Sequence, residues 1–192
     1  MTSQWLSLPD SVPDNQLRST IEIPTNRGDV TRATCFVAGL GYQRTWLNGV
    51  RLNRSPTNHG DDDPTTLGFF SKFQRSVSYD TYDITDSLRL GNNTLAVLVG
   101  RGWYALPRDQ YTAGLNFQQQ GPRSLRVLCR VAFNDEGALL EFGSGSTTWT
   151  WRYGAGELVR DHLFLGPTID KSKATPGWQL NSFDDSSWTV AP

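Results

Sequence analysis

The chain has 192 residues, with 18 lysines and arginines against 19 aspartates and glutamates and a formal net charge of -1. This length suits one domain whose single core needs no metal or disulfide to fold. A charge so close to zero gives no global field toward nucleic acid or an anionic membrane, and we expect neither partner. No stretch approaches the roughly 20 apolar residues that span a bilayer, and the N-terminus shows no export signal.

The composition favours strands over helices. Aromatic residues make up 11% of the chain, seven of them tryptophan, and 18 glycines and 10 prolines interrupt it at short intervals. Wide flat side chains suit a pleated surface, whereas frequent glycine and proline break helices.

The first half of the chain predicts strands and one tight hairpin. Residues 1–29 are interpreted as lead-in strands of the same domain, and residues 32–40 as a buried strand. Residues 42–52 follow as a hairpin, because Asn48-Gly49 fits the positive φ angles of a type I′ turn. Residues 76–84 alternate as a strand does, and residues 85–93 form a turn or loop. Residues 94–99 are apolar on both faces, which predicts a strand in a sheet covered on both sides.

The second half continues the same pattern. Residues 124–133 alternate, with Arg126 and Arg130 on the solvated face. A turn at residues 134–137 leads into a strand at 138–142, and residues 147–151 predict a further strand. Since neither helical periodicity nor βαβ alternation is present, the fold class is all-β, an antiparallel sandwich or jelly roll.

Cys35 and Cys129 lie in alternating apolar segments without the spacing of a metal site. We expect buried structural thiols. A disulfide would require their strands to be neighbours, with the α-carbons about 5.5 Å apart. The redox state of the pair stays open at this level.

Two long irregular stretches, residues 53–68 and 100–122, are where a binding site or docking surface is expected. In the first, Asp61, Asp62 and Asp63 could hold a calcium ion, which prefers six to eight oxygen ligands. Against this, three adjacent aspartates do not all face one ion, and the alternative is a solvated acidic loop. No other cofactor is expected.

The second stretch carries a candidate carbohydrate site. Trp103, Tyr104 and Tyr111 would form a stacking platform for a sugar ring, while Arg108 and Asp109 would bond its hydroxyls. The alternative is packing, because Trp103 and Tyr104 directly continue a buried strand.

The end of the chain, with Pro176-Gly177-Trp178 and residues 183–188 (FDDSSW), is interpreted as an Asx-type turn whose two tryptophan rings enter the core. His59 and His162, the only histidines, have no nucleophile or zinc spacing around them. No catalytic residue is therefore assigned.

The order and spacing of four segments resemble one known family. These are residues 42–52 (YQRTWLNGVRL), 79–86 (YDTYDITD), 90–104 (LGNNTLAVLVGRGWY) and the closing 176–188. Residues 30–192 are similar to the N-terminal, galactose-binding-like β-sandwich of bacterial-type α-L-rhamnosidases. Where members of that family carry Gly-Asp-Gly-Trp-Tyr, this chain has Arg101 in place of the aspartate.

The resemblance implies a non-catalytic accessory module. In that family the hydrolysis of terminal α-L-rhamnose takes place on a separate, C-terminal helical barrel, which would be the partner of this domain. The resemblance further implies domain packing and weak binding of L-rhamnose or a rhamnose-containing glycan. A free-standing, lectin-like carbohydrate-binding protein is the alternative, and an enzyme complete within this chain is the least favoured. The organism, compartment, oligomeric state, glycan and continuation past Pro192 are not readable from the sequence.

Overall fold

The computed structural model describes residues 3–9, 16–52, 66–67, 73, 75–106, 121–135, 137–162 and 165–192. These residues form antiparallel strands and contain no α-helix. No described helix is long and apolar enough to cross a membrane. In chain order the strands are β1 (Leu6–Ser7), β2 (Gln16–Ile23), β3 (Val30–Leu40), β4 (Tyr42–Leu47), β5 (Val50–Arg51), β6 (Thr66–Leu67), β7 (Asp80–Asp83), β8 (Gly91–Gly100), β9 (Ser124–Phe133), β10 (Leu140–Gly143), β11 (Arg152–Gly154), β12 (Leu158–His162), β13 (Gly166–Ile169) and β14 (Thr189–Val190). Short 3-10 turns lie at Thr85–Ser87 and Lys171–Lys173.

The strands build two facing sheets and a separate hairpin. The five-stranded sheet has the order β1-β9-β3-β7, with β10 also paired to β9. The seven-stranded sheet has the order β14-β11-β2-β8-β4-β5, with β6 also paired to β4. Strands β12 and β13 pair only with each other among the described residues. The all-β antiparallel sandwich predicted from the sequence is confirmed.

Strands β1 and β2 each pair with a later strand of one of the two sheets. Strand β2 pairs with β8 along its whole length, from Gln16 opposite Leu98 to Ile23 opposite Gly91. Strand β1 pairs with the start of β9. The first described residues of the chain thus occupy the centre of one sheet and the edge of the other.

The core lies between the two sheets, where the alternating apolar side chains meet. On β9 the inward residues are Leu125, Val127, Cys129, Val131 and Phe133, all buried. They face inward residues of β2 and β8 within one continuous apolar cluster. Strand β8 is buried on its other face as well, with Thr94 and Ala96 covered, as its unbroken apolar run predicted.

The β4–β5 hairpin confirms the strongest local prediction. Asn48 has φ 53° and Gly49 has φ 83°, so both central residues are in the left-handed region that a type I′ turn requires. The Asn48 side chain strengthens the turn, because its oxygen accepts from the backbone N–H of Thr94 at 2.9 Å.

The prediction of a strand at residues 147–151 is wrong. This segment is a turn in which Trp149 N–H donates to the carbonyl of Ser146, and the next strand, β11, begins only at Arg152. The reason is topological: β10 belongs to the five-stranded sheet and β11 to the seven-stranded one, so the segment crosses between them without a ladder partner. Trp149 and Trp151 are buried in this crossing, with ring centroids 5.0 Å apart.

The two cysteines are buried, as predicted, but they are not free thiols. Cys35 on β3 lies directly opposite Cys129 on β9 in the register of the two strands, and their α-carbons are 4.1 Å apart. The pair is joined as a disulfide across the centre of the five-stranded sheet. The pairing of the two strands, which the sequence did not show, brings the sulfurs together.

The closing segment, residues 176–188, covers the outer face of the seven-stranded sheet. An Asx turn is present as predicted, since Ser186 N–H donates to the Asp184 side chain at 2.9 Å. The prediction that both rings are buried in the core holds for Trp178 but not for Trp188, which is only half-buried. The Trp178 ring packs against Trp46, which lies on the outer face of β4 because the residues on either side of it point inward. The Trp188 ring lies beside Gly154.

Candidate functional site

A cleft of about 430 Å³ opens on the outer face of the seven-stranded sheet. We call it the outer cleft. Its floor comes from β2, β4 and β8, and its walls come from the β12–β13 hairpin and the closing segment. The lining residues are Gln16, Tyr42, Arg44, Trp46, Leu98, Glu157, Leu158, Asp161, His162, Gly166, Pro167, Ile169, Trp178 and Gln179. Its volume lies within the range of about 300–1,000 Å³ found for small-molecule sites.

Alternation along β4 places three functional side chains on the floor of the outer cleft. Gln43, Thr45 and Leu47 are buried toward the interior of the sandwich, so Tyr42, Arg44 and Trp46 face outward. Trp178 completes an aromatic wall there, because its ring lies edge-on to that of Trp46 with centroids 5.4 Å apart. An edge-to-face pair of this kind holds both rings in fixed orientations.

Asp161 is the central polar residue of the outer cleft. It is buried on β12, and its carboxylate accepts the backbone N–H of Arg101 at 2.6 Å. The hydroxyl of Tyr42 also donates to this carboxylate. Burial raises the pKa of Tyr42 above its ordinary value, and the adjacent negative charge of Asp161 raises it further. The phenol therefore remains a hydrogen-bond donor at neutral pH.

Two glycines allow this arrangement. A β-carbon on Gly100 would lie 1.9 Å from the Tyr42 ring, so only glycine leaves space for the tyrosine at this place. Gly41 has φ +132°, and a β-carbon there would lie 2.0 Å from the carbonyl oxygen of Gly100. The close approach of these two backbones brings Arg101 N–H to Asp161. The Arg101 guanidinium donates to the Ala105 carbonyl at 3.4 Å.

The two carboxylates of the outer cleft are both engaged. Asp161 accepts from Tyr42 and Arg101, as described, and Glu157 accepts from the Lys171 ammonium at 2.9 Å. Both carboxylates can accept further hydrogen bonds, because each carboxylate oxygen has two lone pairs. The outer cleft is thus suited to accept hydrogen bonds from hydroxyl groups.

Residues 28–192 match the family described as the alpha-L-rhamnosidase N-terminal domain. The chain belongs to this family.

Individual relatives agree with this assignment. An α-L-rhamnosidase of Streptomyces avermitilis is 34% identical over 175 residues, which cover 91% of this chain but 15% of that protein. The crystal structure of S. avermitilis α-L-rhamnosidase complexed with L-rhamnose superposes with a TM-score of 0.77 at 31% identity, covering 96% of this chain and 16% of that one. The family resemblance of the four sequence segments is confirmed. The chain spans 15–20% of the length of the α-L-rhamnosidases it matches in sequence.

A lectin of Pleurotus ostreatus, solved in complex with GalNAc, is similar in fold alone. It shares 20% identity and a TM-score of 0.54, covering 100% of this chain and 42% of that one. This likeness agrees with a galactose-binding-like sandwich and carries no functional weight for the domain.

The loop residues predicted as a sugar site only partly fall within the described chain. Trp103 and Tyr104 follow β8 in a turn and are both half-buried, and the Tyr104 ring lies edge-on to Phe73 at 5.0 Å. Neither lines the outer cleft. Arg108, Asp109 and Tyr111 lie outside the described residues, as do the predicted calcium ligands Asp61, Asp62 and Asp63. Within the described ranges no group of three or more His, Cys, Asp or Glu could hold a metal.

Sequence reasoning missed the outer cleft. Asp161, Glu157 and His162 come from a stretch that showed no strand pattern, and the β12–β13 hairpin was not predicted. One signal was available: Tyr42, Arg44 and Trp46 alternate with inward residues in a predicted strand, so their outward face is unusually aromatic for a solvated surface.

Proposed function

We propose that this domain is a non-catalytic accessory module of an α-L-rhamnosidase-type glycoside hydrolase, which packs against the other domains of its parent and weakly binds rhamnose or rhamnosides. Membership of the family and the small share of each relative that it spans support the modular role. A domain of this kind contributes substrate contacts or a wall beside a catalytic domain that lies elsewhere.

The observation that carries sugar binding is the composition of the outer cleft. Trp46 offers apolar ring surface and is held in place by the buried Trp178, while Asp161, Gln16 and Gln179 offer hydrogen-bonding groups in the same cavity. Sugar rings combine apolar C–H faces with hydroxyl groups, so a site for them needs both kinds of surface. The S. avermitilis relative, solved with L-rhamnose, supports that sugar as the first ligand to test.

Isothermal titration of the 192-residue chain with methyl α-L-rhamnoside, with calcium and with EDTA, tests this proposal. We expect saturable binding with a millimolar Kd, about -4 kcal/mol. The variant Gln179→Ala should weaken it several-fold, because Gln179 lines the outer cleft. Absence of heat and of chemical-shift changes at the highest soluble concentration overturns the sugar-binding part of the proposal.

A matched pair of glutamates supplies the control. Glu157 and Glu141 each accept from a surface cation, at 2.9 Å from Lys171 and 2.8 Å from Arg130, but only Glu157 lines the outer cleft. Glu157→Gln should change the affinity for the rhamnoside, whereas Glu141→Gln should leave it unchanged. Equal effects of the two would place the sugar outside the outer cleft.

The loop that carries Trp103, Tyr104, Arg108, Asp109 and Tyr111 is proposed as a second place for a sugar, with Asp61, Asp62 and Asp63 as a calcium site. If the sugar binds at this loop, Tyr111→Ala weakens the binding of the rhamnoside whereas Gln179→Ala does not, and EDTA abolishes the binding. The two sets of variants, measured with one sugar, assign the site to the loop or to the outer cleft.

Two further measurements test the modular role. The native reading frame is expected to continue past residue 192 into a helical catalytic domain, and a stop codon there favours a free-standing carbohydrate-binding protein instead. The isolated 192-residue chain is expected to release no sugar from an aryl α-L-rhamnoside. Hydrolysis that survives repeated purification overturns the non-catalytic assignment.

A further inference from the structure

A second cavity lies on the opposite side of the sandwich, on the outer face of the five-stranded sheet. It has a volume of about 490 Å³. We call it the arginine groove. The described residues that line it are Ser3, Trp5, Phe36, Ala38, Phe73, Arg75, Ser76, Val77, Tyr79, Arg126, Leu128 and Arg130.

The floor of the arginine groove follows from the register of β3 and β9. Phe36 lies opposite Leu128, and Ala38 lies opposite Arg126, all on the face turned away from the disulfide. Because the side chain of Ala38 is small, the groove is deeper at Ala38 than at Phe36 and Leu128. Gly143, opposite Leu128 on β10, adds no side chain on the far side. A shallow apolar floor results, where a sheet exposed to solvent would normally carry polar side chains.

Aromatic rings form the wall of the arginine groove. Tyr79 is 60% exposed, and its ring lies edge-on to Phe36 with centroids 5.9 Å apart. Trp5 is half-buried on the other side. Exposed aromatic rings around an apolar floor offer flat surfaces to a ring-shaped ligand.

Three arginines give the groove its charge. Arg126 and Arg130 are separated by four positions on β9, which sets their α-carbons about 13 Å apart on either side of Leu128. Arg75 is exposed at the rim. Arg130 forms an ion pair with Glu141 at 2.8 Å, whereas the Nε of Arg126 donates to the Ser3 hydroxyl at 2.9 Å.

No aspartate or glutamate is among the described residues that line the arginine groove. The outer cleft, by contrast, is lined by two carboxylates and one arginine. The two cavities of this nearly neutral chain therefore have opposite electrostatic character. An arginine guanidinium forms two parallel hydrogen bonds to a carboxylate or sulfate, and these are stronger than neutral ones.

We propose that the arginine groove binds an anionic sugar residue, a uronate or a sulfated sugar, with its ring on the Phe36 and Tyr79 surface and its acidic group on Arg126. The aromatic wall fits the C–H face of a pyranose, and the positive charge of Arg126 fits the acidic group. The site is independent of the outer cleft and selects a different feature of a glycan.

Isothermal titration of the 192-residue chain compares methyl β-D-glucuronide, methyl β-D-glucoside 6-sulfate and the neutral methyl β-D-glucoside. At least one anionic sugar should bind about tenfold or more tighter than the neutral one, and this preference should shrink as salt rises from about 0.05 M to 0.5 M. The better of the two anionic sugars identifies the acidic group. Equal affinity for all three sugars overturns the proposal.

Arg126→Met should reduce the affinity for the anionic sugar about tenfold. Arg89→Met is the matched control, since Arg89 is also exposed but does not line the groove. Because Arg126 also contacts Ser3, Arg75→Met and Tyr79→Ala serve as second variants without that contact. The proposal is overturned if all three groove variants bind like Arg89→Met.

A short poly-glutamate peptide separates a sugar site from a general basic surface. Binding of the peptide as tight as that of the anionic sugar, and equally sensitive to Arg126→Met, overturns the proposal. Binding of the rhamnoside is tested with variants of the outer cleft, and binding of the anionic sugar with variants of the arginine groove. Each proposal can therefore fail without affecting the other.

Discussion

Arg18, in the middle of β2, forms an ion pair of 3.2 Å with Asp185 of the closing segment. The Arg18 side chain is only 3% exposed, and it also donates to the carbonyls of Phe183 at 2.7 Å and Leu180 at 2.9 Å. Burial lowers the pKa of Arg18, while the negative charge of Asp185 opposes this effect. One cation of the central strand thus holds the last turn of the chain over the sheet.

Replacing this cation should release the closing segment. Arg18→Met removes the ion pair and the guanidinium hydrogen bonds to the carbonyls of Phe183 and Leu180, of which Leu180 keeps the backbone N–H of Phe183 as a donor. The free energy of unfolding should therefore fall by about 2–4 kcal/mol. Urea denaturation followed by tryptophan fluorescence measures the loss, since Trp178 and Trp188 both belong to the released segment.

Arg152→Met is the control for that change. Arg152 approaches the same Asp185 at 3.8 Å but is 34% exposed, so its removal should cost about 1 kcal/mol or less. A loss for Arg152→Met as large as that for Arg18→Met would contradict the special role of the buried cation.

Trp178 joins the closing segment to the outer cleft, so its removal should affect stability and binding together. Trp178→Ala deletes a buried ring that packs on Trp46, and we expect a loss of about 3–5 kcal/mol. Trp178→Phe keeps an aromatic ring and should lose less than half as much. Thermal unfolding by circular dichroism ranks the two, and equal losses would show that ring packing is not the cause.

The disulfide between Cys35 and Cys129 closes a loop of 94 residues. In the chain-entropy account a loop of this size contributes about 4–5 kcal/mol. Protein produced under oxidising conditions should take up no alkylating reagent in denaturant until a reductant is added, and reduction should lower the urea midpoint. Two alkylated cysteines without reductant would show that the thiols are free.

The stability of the domain should fall in acid. Hydrogen bonds from the Thr85 hydroxyl, from the Ser172 hydroxyl and from the Ser186 backbone N–H lower the pKa of Asp83, Asp170 and Asp184, respectively. A folded pKa below the unfolded value adds stability that is present above about pH 4 and is lost as the pH falls through the folded value.

Urea denaturation at pH 6 and pH 3 measures this loss. Asp184→Asn keeps an acceptor oxygen for Ser186 but does not titrate, so its midpoint should fall less between the two pH values. An identical fall of the urea midpoint in the variant would show that titration of Asp184 does not contribute to the loss of stability in acid.

Tyr42→Phe tests the polar centre of the outer cleft. The change removes one of the two described donors to the buried carboxylate of Asp161, which should cost about 1–3 kcal/mol. The raised pKa of Tyr42 adds a spectroscopic check, because the native protein should retain one tyrosine that ionises later than the others. Absorbance at alkaline pH should show no such residue in the variant.

Local chemistry in the sequence determined much of the fold. The Asn48-Gly49 turn and the alternation of β9 need only neighbouring residues, because turn geometry and the two-residue period of a strand are local properties. The Asx turn at Asp184 belongs to the same class. Their prediction was correct for that reason, and the ordered set of short segments was enough to indicate the family.

The tertiary structure alone decided how those segments meet. The crossing at residues 147–151, the pairing of Cys35 with Cys129 and the burial of Arg18 under the closing segment depend on which strands become neighbours. The outer cleft likewise combines β4, β12 and the closing segment, which are far apart along the chain. Contacts between distant residues leave no local pattern, so Asp161 and the arginine groove emerged only once the two sheets were assembled.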